Sequence, residues 1–319
     1  MKIVIPGGSG YVGTVLARAL HKQGDEVVVL SRSPASKPWR VVAWDGETLG
    51  EWVAEFESAD AIINLAGQSV NCRYTSENRR LITDSRLKST RVVGEAIAQA
   101  WTPPRVWLQA STATIYAHRY DSPNDEATGI IGGAEPDAPD TWRFSINVAT
   151  SWERVFRESP TPNTRRVAMR TAIVMHSDSG SPFDVLLRLV RLGLGGQAGD
   201  GRQYMSWIHE ADFVRAVRWL IQHQELEGPV NLASPNPLTN AEFMRGLRSA
   251  WGMPFGLPAT EWMLELGAFL AQSETELILK SRRVIPTKLL QSDFEFQYPK
   301  WPDAARELCA RVRANGQSN

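Results

Sequence analysis

Three glycines at intervals of three residues stand near the start of the chain. Gly7, Gly10 and Gly13 follow the apolar run at residues 2–6 and lead into residues 12–20, where apolar side chains recur at helical spacing. A strand, a tight glycine turn and a helix in this order let the backbone approach a pyrophosphate closely. The N–H groups and the positive dipole end of the helix then attract the anion. The pattern therefore predicts a dinucleotide-binding turn.

The residues that end the next apolar run bear on which dinucleotide binds. Residues 26–30 are rich in β-branched and apolar side chains, which predicts a second buried strand, and Ser31 and Arg32 follow it. An NAD-specific unit carries an acidic residue there, which accepts hydrogen bonds from the ribose hydroxyls. An arginine suits a 2′-phosphate instead, because its planar fork binds phosphate at two points, and Ser31 adds a hydroxyl donor. We therefore predict NADP(H) in preference to NAD(H); the alternative is that Arg32 is a solvated loop residue.

Strands and helices continue to alternate beyond this unit. Further strands are predicted at residues 41–44, 61–65, 106–111 and 166–174. Further helices are predicted at residues 49–56, 76–100, 146–157 and 214–222. This alternation predicts an α/β fold of the Rossmann type with a doubly wound parallel sheet.

The pattern becomes less regular after residue 176, where several glycines are concentrated in one loop. We predict that residues 1–176, with 209–227 interleaved, form the NAD(P)-binding Rossmann domain. Residues 177–208 and 228–319 are predicted to form a smaller C-terminal α+β subdomain that faces the substrate. Helices are expected in this subdomain at residues 240–251, 261–270, 276–286 and 302–314.

Composition and charge narrow the class of partner. The chain has 319 residues, with 35 lysines and arginines against 35 aspartates and glutamates, so no nucleic-acid partner is expected. Two cysteines, Cys72 and Cys309, argue against a disulfide framework. Neither a signal peptide nor a membrane span is predicted, since the chain begins with a strand and Arg188 and Arg191 interrupt a later apolar run. We expect a cytoplasmic protein with a small-molecule substrate; a homodimer through helices beside the sheet stays open.

Several separate segments resemble one superfamily. The glycine turn, residues 63–67, residues 111–116 and residues 206–212 resemble the extended short-chain dehydrogenase/reductase superfamily, which includes nucleoside-diphosphate-sugar epimerases. More narrowly, residues 84–90 and the stretch from Arg282 to Pro299 are similar to the atypical SulA-like nucleoside-diphosphate-sugar epimerase family, with its small C-terminal domain. The resemblance covers essentially the whole chain.

The resemblance implies a set of cofactor-binding residues. It implies that the pyrophosphate is cradled by Gly7, Gly10, Tyr11, Val12 and Gly13, and that the adenosine phosphate is held by Ser31 and Arg32. It also implies that Leu65, Ala66 and Gly67 line the path toward the nicotinamide ribose. Ser85 and Arg86 are implied to lie on a helix that flanks the cofactor; the alternative for Arg86 is a surface arginine. The implied substrate is nucleotide-sugar-like or another hydroxyl or carbonyl compound.

The acid/base pair of that superfamily is missing. Related enzymes carry a tyrosine and, four residues later, a lysine on one helix face. In this chain the corresponding helix, aligned on Glu153, has Ser145 and Ala149 at those positions. A serine hydroxyl is a far poorer acid than a phenol, and alanine cannot tune a pKa.

Other hydroxyl groups are therefore the candidates for catalysis. Thr112 occupies the position at which related enzymes have the serine or threonine that hydrogen-bonds the reacting oxygen, and it ends a predicted strand. The alternative for Thr112 is a β-forming residue that caps its own strand. Ser111 is a second candidate. Tyr116 either turns inward as an acid or packs under the long loop that is predicted at residues 120–139.

Two functions stay open. The first is an NADP-dependent epimerase or oxidoreductase that acts on a hydroxyl or carbonyl compound. The second is a catalytically silent NADP(H)-binding protein that serves as a sensor or in regulation and interaction. Both share the fold and the cofactor site, because a fold alone does not specify a function. The scattered histidines predict no metal site.

Overall fold

A seven-stranded parallel sheet forms the centre of the molecule, as seen in a computed structural model that describes residues 1–136, 138–260, 263 and 274–317. Its strands are β1 Lys2–Pro6, β2 Glu26–Ser31, β3 Arg40–Ala43, β4 Ala61–Asn64, β5 Val106–Thr112, β6 Arg165–Thr171 and β10 Gly228–Leu232. Their order is β10-β6-β5-β4-β1-β2-β3, and every neighbouring pair is parallel. Outside this sheet lie the short strands β7 Ile173–Met175, β8 Tyr204–Met205, β9 Trp207–His209 and β11 Leu238–Thr239. The predicted doubly wound Rossmann-type fold is confirmed.

Helices cover both faces of the sheet. They are α1 Tyr11–Lys22, α2 Ser76–Gln99, α3 Asp140–Glu158, α4 Pro182–Arg191, α5 Glu210–Gln222, α6 Asn240–Trp251, α7 Glu276–Leu279, α8 Thr287–Gln291 and α9 Trp301–Gln317. Short 3-10 helices span Glu51–Phe56 and Ala113–Ile115. No helix in the described ranges is long and apolar enough to cross a membrane.

Successive residues of β1 show why the sheet needs two helical layers. Ile3 and Ile5 are buried in one core with residues of α1 and α5, whereas Val4 is buried in another with residues of α2 and α3. Side chains alternate across a strand, and a parallel sheet covered on both faces is apolar throughout. The near-continuous apolar runs of the early strands follow from this double coverage.

Strand order places the predicted residues at one edge. The chain runs from β1 outward to β2 and β3, and then returns to β4 on the other side of β1. Parallel sheets bind ligands outside the carboxyl ends of the strands, at the point where the order reverses. Gly7 follows β1 and Leu65 follows β4, while Ser31 and Thr112 end β2 and β5. All four therefore lie at the same edge.

Two of the predicted boundaries need correction. Residues 228–232 were assigned to the small subdomain, but they form β10, which pairs in register with Val167 to Thr171 in the large sheet. Pro229 obscured this strand, since proline weakens a strand prediction, although an edge strand tolerates it. The strand predicted at 166–174 is split, because β7 leaves the large sheet and pairs with β9.

The smaller part of the molecule has its own core. Helices α4, α6 and α9 bury Phe183, Phe243 and Leu308 together with Trp207 and Trp301. The helix predicted at 276–286 is only the four-residue α7, because the chain beyond it bonds to other segments instead: the Arg282 N–H donates to the Tyr204 carbonyl. The helix predicted at 261–270 lies outside the described residues, apart from position 263.

Candidate functional site

Two cavities open at the carboxyl edge of the sheet. The first, which we call the glycine-turn cavity, has a volume of about 200 Å³. Its lining includes Gly7, Gly10, Ser31, Arg32, Leu65, Ala66, Gly67 and Ser85, all of them predicted cofactor-binding residues. The second, which we call the Thr112 cavity, has a volume of about 300 Å³ and is lined in part by Ser111, Thr112, Ser145 and Ala149. The structure thus brings most of the predicted residues together.

The turn after β1 has a geometry that requires glycine. Gly7 has a φ of 74°, and a Cβ at this position would lie 2.5 Å from the Ala66 Cα. A Cβ at Gly13 would lie 2.5 Å from the Gly8 Cα, so α1 packs directly on the turn. Gly10 precedes the helix and contributes no side-chain cap. The first-turn N–H groups are therefore left to an external acceptor, as in a phosphate cradle.

Three of the predicted cofactor residues do not line the glycine-turn cavity. Tyr11, Val12 and Gly13 form the first turn of α1, where only their backbone N–H groups face the direction of a bound anion. The Tyr11 ring instead packs on His176, with ring centroids 3.8 Å apart. Burial is the main cause that raises the pKa of its hydroxyl, which has no hydrogen-bond partner among the described residues.

The far end of the glycine-turn cavity combines a hydroxyl group with a cation. The Ser31 hydroxyl donates to the Ser9 hydroxyl at 3.0 Å and accepts from the Ser33 N–H at 3.2 Å. Arg32 is exposed and forms no ion pair with any residue that the structure describes. Asp45 lines the same end, but its carboxylate is already bound by Thr48, whose hydrogen bond lowers the Asp45 pKa. Arg32 is therefore the group that can receive an added phosphate.

A half-buried cation lies where the two cavities meet. The Arg86 guanidinium, on α2, lies over the Trp152 ring at 5.1 Å and donates to the Gln68 and Ile82 carbonyls. A Cβ at Gly67, which lines the glycine-turn cavity, would lie 3.2 Å from the Arg86 Cζ, while Arg86 itself lines the Thr112 cavity. Burial lowers the Arg86 pKa to about 10, so the group stays charged at neutral pH. Of the two alternatives open for Arg86, the structure supports a place beside the cavity over a surface position.

Ser85 occupies the neighbouring position on α2. Its hydroxyl accepts from the Gln68 N–H at 2.9 Å and donates to the Ile82 carbonyl at 3.2 Å. These bonds hold the loop after Gly67 against α2. Ser85 therefore shapes the wall of the glycine-turn cavity.

The two hydroxyl groups that end β5 differ in what they can offer a ligand. The Thr112 hydroxyl oxygen accepts from the Thr114 N–H at 3.1 Å, and its proton goes to no described residue. The Ser111 hydroxyl donates to Glu153 at 2.6 Å, and Glu153 in turn accepts twice from Arg170, each time at 2.8 Å. Thr112 can therefore donate to a bound oxygen atom, whereas the Ser111 proton is already engaged.

Tyr116 is not brought to the Thr112 cavity. Its ring is 1% exposed, and its hydroxyl donates to the Asn231 side-chain oxygen at 2.9 Å and accepts from Arg170 at 3.0 Å. Burial raises the Tyr116 pKa, against the opposing effect of Arg170. Of the two alternatives open for this residue, the structure supports packing under the long loop, where a Cβ at Gly129 would lie 2.6 Å from the ring.

Ser145 and Ala149 line the Thr112 cavity from α3, as the alignment on Glu153 predicts. The Ser145 hydroxyl donates to Glu276 Oε2 at 2.5 Å and lies 3.4 Å from the Tyr74 hydroxyl. Glu276 and Tyr74 line the cavity too, and neither was expected from the sequence. Glu276 is separated from Ser145 by 131 positions in the chain, so no local pattern connects the two.

Comparisons with known proteins agree with this geometry. A profile of the NAD dependent epimerase/dehydratase family matches residues 3–135, and a domain of unknown function, DUF1731, matches residues 259–308. Epimerase family protein SDR39U1 of Homo sapiens is 30% identical over 97% of this chain and 100% of its own length. Epimerase family protein ML0860 of Mycobacterium leprae is 31% identical over 98% of this chain and 97% of its own length.

Solved structures give the same result. The crystal structure of human SDR39U1 (isoform 2) with NADPH is similar with a TM-score of 0.84 and 28% identity, over 97% of this chain and 99% of that one. The UDP-N-acetylglucosamine 4-epimerase of Bacillus cereus has a TM-score of 0.74 at 17% identity, over 98% of this chain and 99% of that one, which shows a shared fold.

Proposed function

We propose that this chain is an NADP(H)-dependent enzyme. The premise is that the chain belongs to the epimerase/dehydratase family of extended short-chain dehydrogenases/reductases. Its reaction would move a hydride between the cofactor and a hydroxyl-bearing or carbonyl carbon of a small molecule. The substrate would be nucleotide-sugar-like or another hydroxyl or carbonyl compound.

The observation that carries the proposal is the contact between the two cavities through Gly67 and Arg86. One cavity offers a glycine turn, a helix N-terminus and the phosphate-binding groups Ser31 and Arg32. The other offers a mostly apolar wall with a few polar groups, which is typical of a site for a small organic ligand. An extended dinucleotide needs two such sites side by side at the edge of the sheet.

The residues present fit the cofactor. Gly7, Gly10 and the first-turn N–H groups of Tyr11, Val12 and Gly13 would hold the pyrophosphate, because the turn brings these N–H groups together and a Cβ on Gly7 or Gly13 would displace it. A further set lines the glycine-turn cavity and would border the path toward the nicotinamide ribose: Leu65, Ala66, Gly67 and Ser85. When bound, NADP(H) supplies the hydride acceptor or donor at the nicotinamide ring.

Ser31 and Arg32 support a preference for NADP(H) over NAD(H). Arg32 lines the glycine-turn cavity without an ion pair among the described residues, and the chain has no carboxylate at the end of β2 to bind ribose hydroxyls. The similar human protein carries NADPH in its crystal structure. Arg32 would pair with the 2′-phosphate in a charge-assisted bond.

Within the Thr112 cavity, the chain's own residues would orient the substrate. Thr112 would donate its free hydroxyl proton to the reacting oxygen atom. Arg86 would keep a positive charge at the nicotinamide end, which is the charge that Ala149 cannot supply. Apolar side chains such as Val148 and Ile173 would exclude water from the reacting atoms.

A catalytically silent NADP(H)-binding protein is the second candidate. The observation in its favour is the pair Ser145 and Ala149, which leaves α3 without the tyrosine and lysine of the superfamily. Turnover of any member of a panel of aldehydes, ketones and nucleotide sugars with NADPH would exclude this candidate. Tight binding without turnover across the panel would favour it.

Titration of the protein with NADPH and with NADH, followed by energy transfer from tryptophan, tests the cofactor assignment. We expect Arg32→Ala to weaken NADPH binding by about 10- to 100-fold, because a charge-assisted bond contributes about 1.5–3 kcal/mol. NADH binding should hardly change. Lys37→Ala is the matched control, since Lys37 is an exposed cation of the same loop outside the cavity. Equal affinity of the Arg32 variant and the wild type for NADPH would contradict the assignment.

A further inference from the structure

A carboxyl group from the C-terminal part of the chain reaches the Thr112 cavity. Glu276 is the first residue of α7, is 1% exposed, and lines the cavity together with Thr112 and Ser145. Its Oε2 accepts the Ser145 hydrogen bond at 2.5 Å. Its Oε1 is buried and has no hydrogen-bond partner within the described structure. Buried carboxylate oxygens are nearly always bonded, so an unbonded one at a cavity wall indicates a missing ligand group.

The place that Glu276 reaches is the one where the superfamily's acid is missing. Ser145 holds the position of the tyrosine, and its hydroxyl is the group to which Glu276 is bonded. Tyr74 adds a second hydroxyl, 3.4 Å from that of Ser145. A carboxyl group exchanges protons readily near neutral pH when its surroundings raise its pKa, which a serine hydroxyl cannot do.

The surroundings of Glu276 raise its pKa above the usual range of a carboxyl group. Burial raises the Glu276 pKa, and this effect exceeds the lowering by the Arg282 cation, the Ser145 hydrogen bond and Lys280. The nearest guanidinium nitrogen of Arg282 lies 3.9 Å from Oε1. Glu274 adds a like charge that also raises the pKa.

Arg282 and Lys280 form hydrogen bonds with other groups and do not pair more closely with the Glu276 carboxylate. Arg282 donates to the Thr114 hydroxyl and to the Glu276 carbonyl, both at 3.1 Å, and Lys280 donates to the Thr114 carbonyl at 2.8 Å. Burial lowers the Lys280 pKa to about 8. These cations therefore moderate the charge of Glu276 without forming a short ion pair with it.

We propose that Glu276 is the catalytic acid/base of this site and that Ser145 is the residue that positions it; the inference rests on the proposed function. In oxidation, the substrate O–H bond breaks and its proton passes to the Glu276 carboxylate. The same carbon gives its hydride to the nicotinamide of NADP⁺, and the C–O bond becomes C=O. In reduction, protonated Glu276 returns the proton to the carbonyl oxygen as NADPH gives the hydride.

The test compares the affinities of two nucleotides that differ in the charge of the nicotinamide ring. NADP⁺ carries a positive ring and NADPH a neutral one, so ionised Glu276 should favour NADP⁺. The ratio of the NADPH dissociation constant to the NADP⁺ dissociation constant should rise by about fivefold or more from about pH 5 to about pH 9. The rise should follow the ionisation of Glu276. Titration of the 2′-phosphate cancels, because both nucleotides carry it.

Three variants isolate the effect. Glu276→Gln keeps the shape and an acceptor for Ser145, and should flatten the pH dependence. Ser145→Ala removes a hydrogen bond that lowers the Glu276 pKa, and should move the midpoint to higher pH. Glu126→Gln is the matched control, because burial also raises the Glu126 pKa but this residue lies outside the cavity. It should leave the ratio unchanged.

An infrared difference spectrum of NADP⁺ binding gives a second readout. Loss of a protonated-carboxyl band in the wild type but not in Glu276→Gln would support the assignment. An unchanged pH dependence in Glu276→Gln, with both nucleotides still bound, would overturn the assignment of Glu276 and leave the cofactor site standing. If neither nucleotide binds to the wild type, the proposed function fails, and this inference fails with it.

Discussion

The glycine-turn cavity and the Thr112 cavity are neighbours, but they are assembled differently. The glycine-turn cavity is lined only by residues between positions 7 and 89, most of them in the turns that follow β1, β2, β3 and β4. The Thr112 cavity is lined by residues from 70 to 282, contributed by α2, β5, α3 and the segment around α7. A site made of consecutive turns can be found from spacing alone, whereas a site made of distant segments cannot.

The two cavities also differ in the kind of group that they leave unbonded. At the glycine-turn cavity, Ser31 is bonded to Ser9 of the preceding turn, whereas Arg32 forms no ion pair among the described residues. At the Thr112 cavity, the Glu276 Oε1 accepts no hydrogen bond from a described residue, and the Thr112 proton goes to none. The first cavity thus offers a ligand a cation, and the second offers it a carboxylate oxygen and a hydroxyl proton.

Gly7→Ala should have the largest effect. It should disrupt the glycine-turn cavity and leave the Thr112 cavity unchanged. A Cβ there would lie 2.5 Å from the Ala66 Cα at a φ of 74°, so the turn must move. We expect a loss of about 2–4 kcal/mol in the free energy of unfolding, measured by urea denaturation. NADPH affinity should fall by about 100-fold or more, since the N–H groups lose their alignment.

Gly24→Ala provides the control for this change. Gly24 has a φ of 86°, but a Cβ there would meet nothing within 4 Å. It should therefore cost only about 1 kcal/mol of backbone strain and leave NADPH binding intact. Equal losses of nucleotide affinity in the two variants would show that positive φ, rather than close approach, governs the turn.

Thr112→Val should affect the Thr112 cavity and leave the glycine-turn cavity intact. Removal of the hydroxyl that is proposed to donate to the reacting oxygen should lower turnover by about 100-fold, because a single donor to developing charge contributes on that order. NADPH affinity should stay within about twofold, since Thr112 does not line the glycine-turn cavity. Steady-state kinetics and nucleotide titration measure the two effects separately.

Thr171→Val is the matched variant in the same cavity. Thr171 pairs with Thr112 across β5 and β6, and it lines the Thr112 cavity, but its hydroxyl donates to the Met169 carbonyl. Turnover should change by less than about threefold. A loss as large as that of Thr112→Val would indicate that the shape of the cavity, and not the Thr112 hydroxyl, controls the rate.

Tyr116→Phe should have the smallest effect. It should show that the Tyr116 hydroxyl takes part in neither nucleotide binding nor turnover. It removes a hydroxyl bonded to Asn231 and Arg170, which should cost about 1–2 kcal/mol in thermal or urea unfolding. Turnover and NADPH affinity should match the wild type. A tenfold loss of turnover at unchanged stability would return Tyr116 to the list of catalytic candidates.

Much of the sheet could be predicted because its signals are local. The apolar run and glycine spacing indicated β1 and α1, and the predicted helix at 76–100 agrees closely with α2, which spans Ser76–Gln99. Apolar periodicity indicates which face of a segment is buried, so it can be read from the sequence without knowledge of the fold. The strand β10 escaped prediction because its membership in the sheet depends on pairing with β6, far away in sequence.

The amino-acid sequence by itself determined the parallel sheet, the glycine turn and the absence of a tyrosine and lysine at Ser145 and Ala149. These follow from residue types at short, fixed spacing. Only the tertiary structure decided that Tyr116 turns away from the cavity and that Glu276 and Arg86 reach it. The physical reason is that desolvation and hydrogen bonding, which make a side chain reactive, depend on neighbours brought together by folding and not by adjacency in the chain.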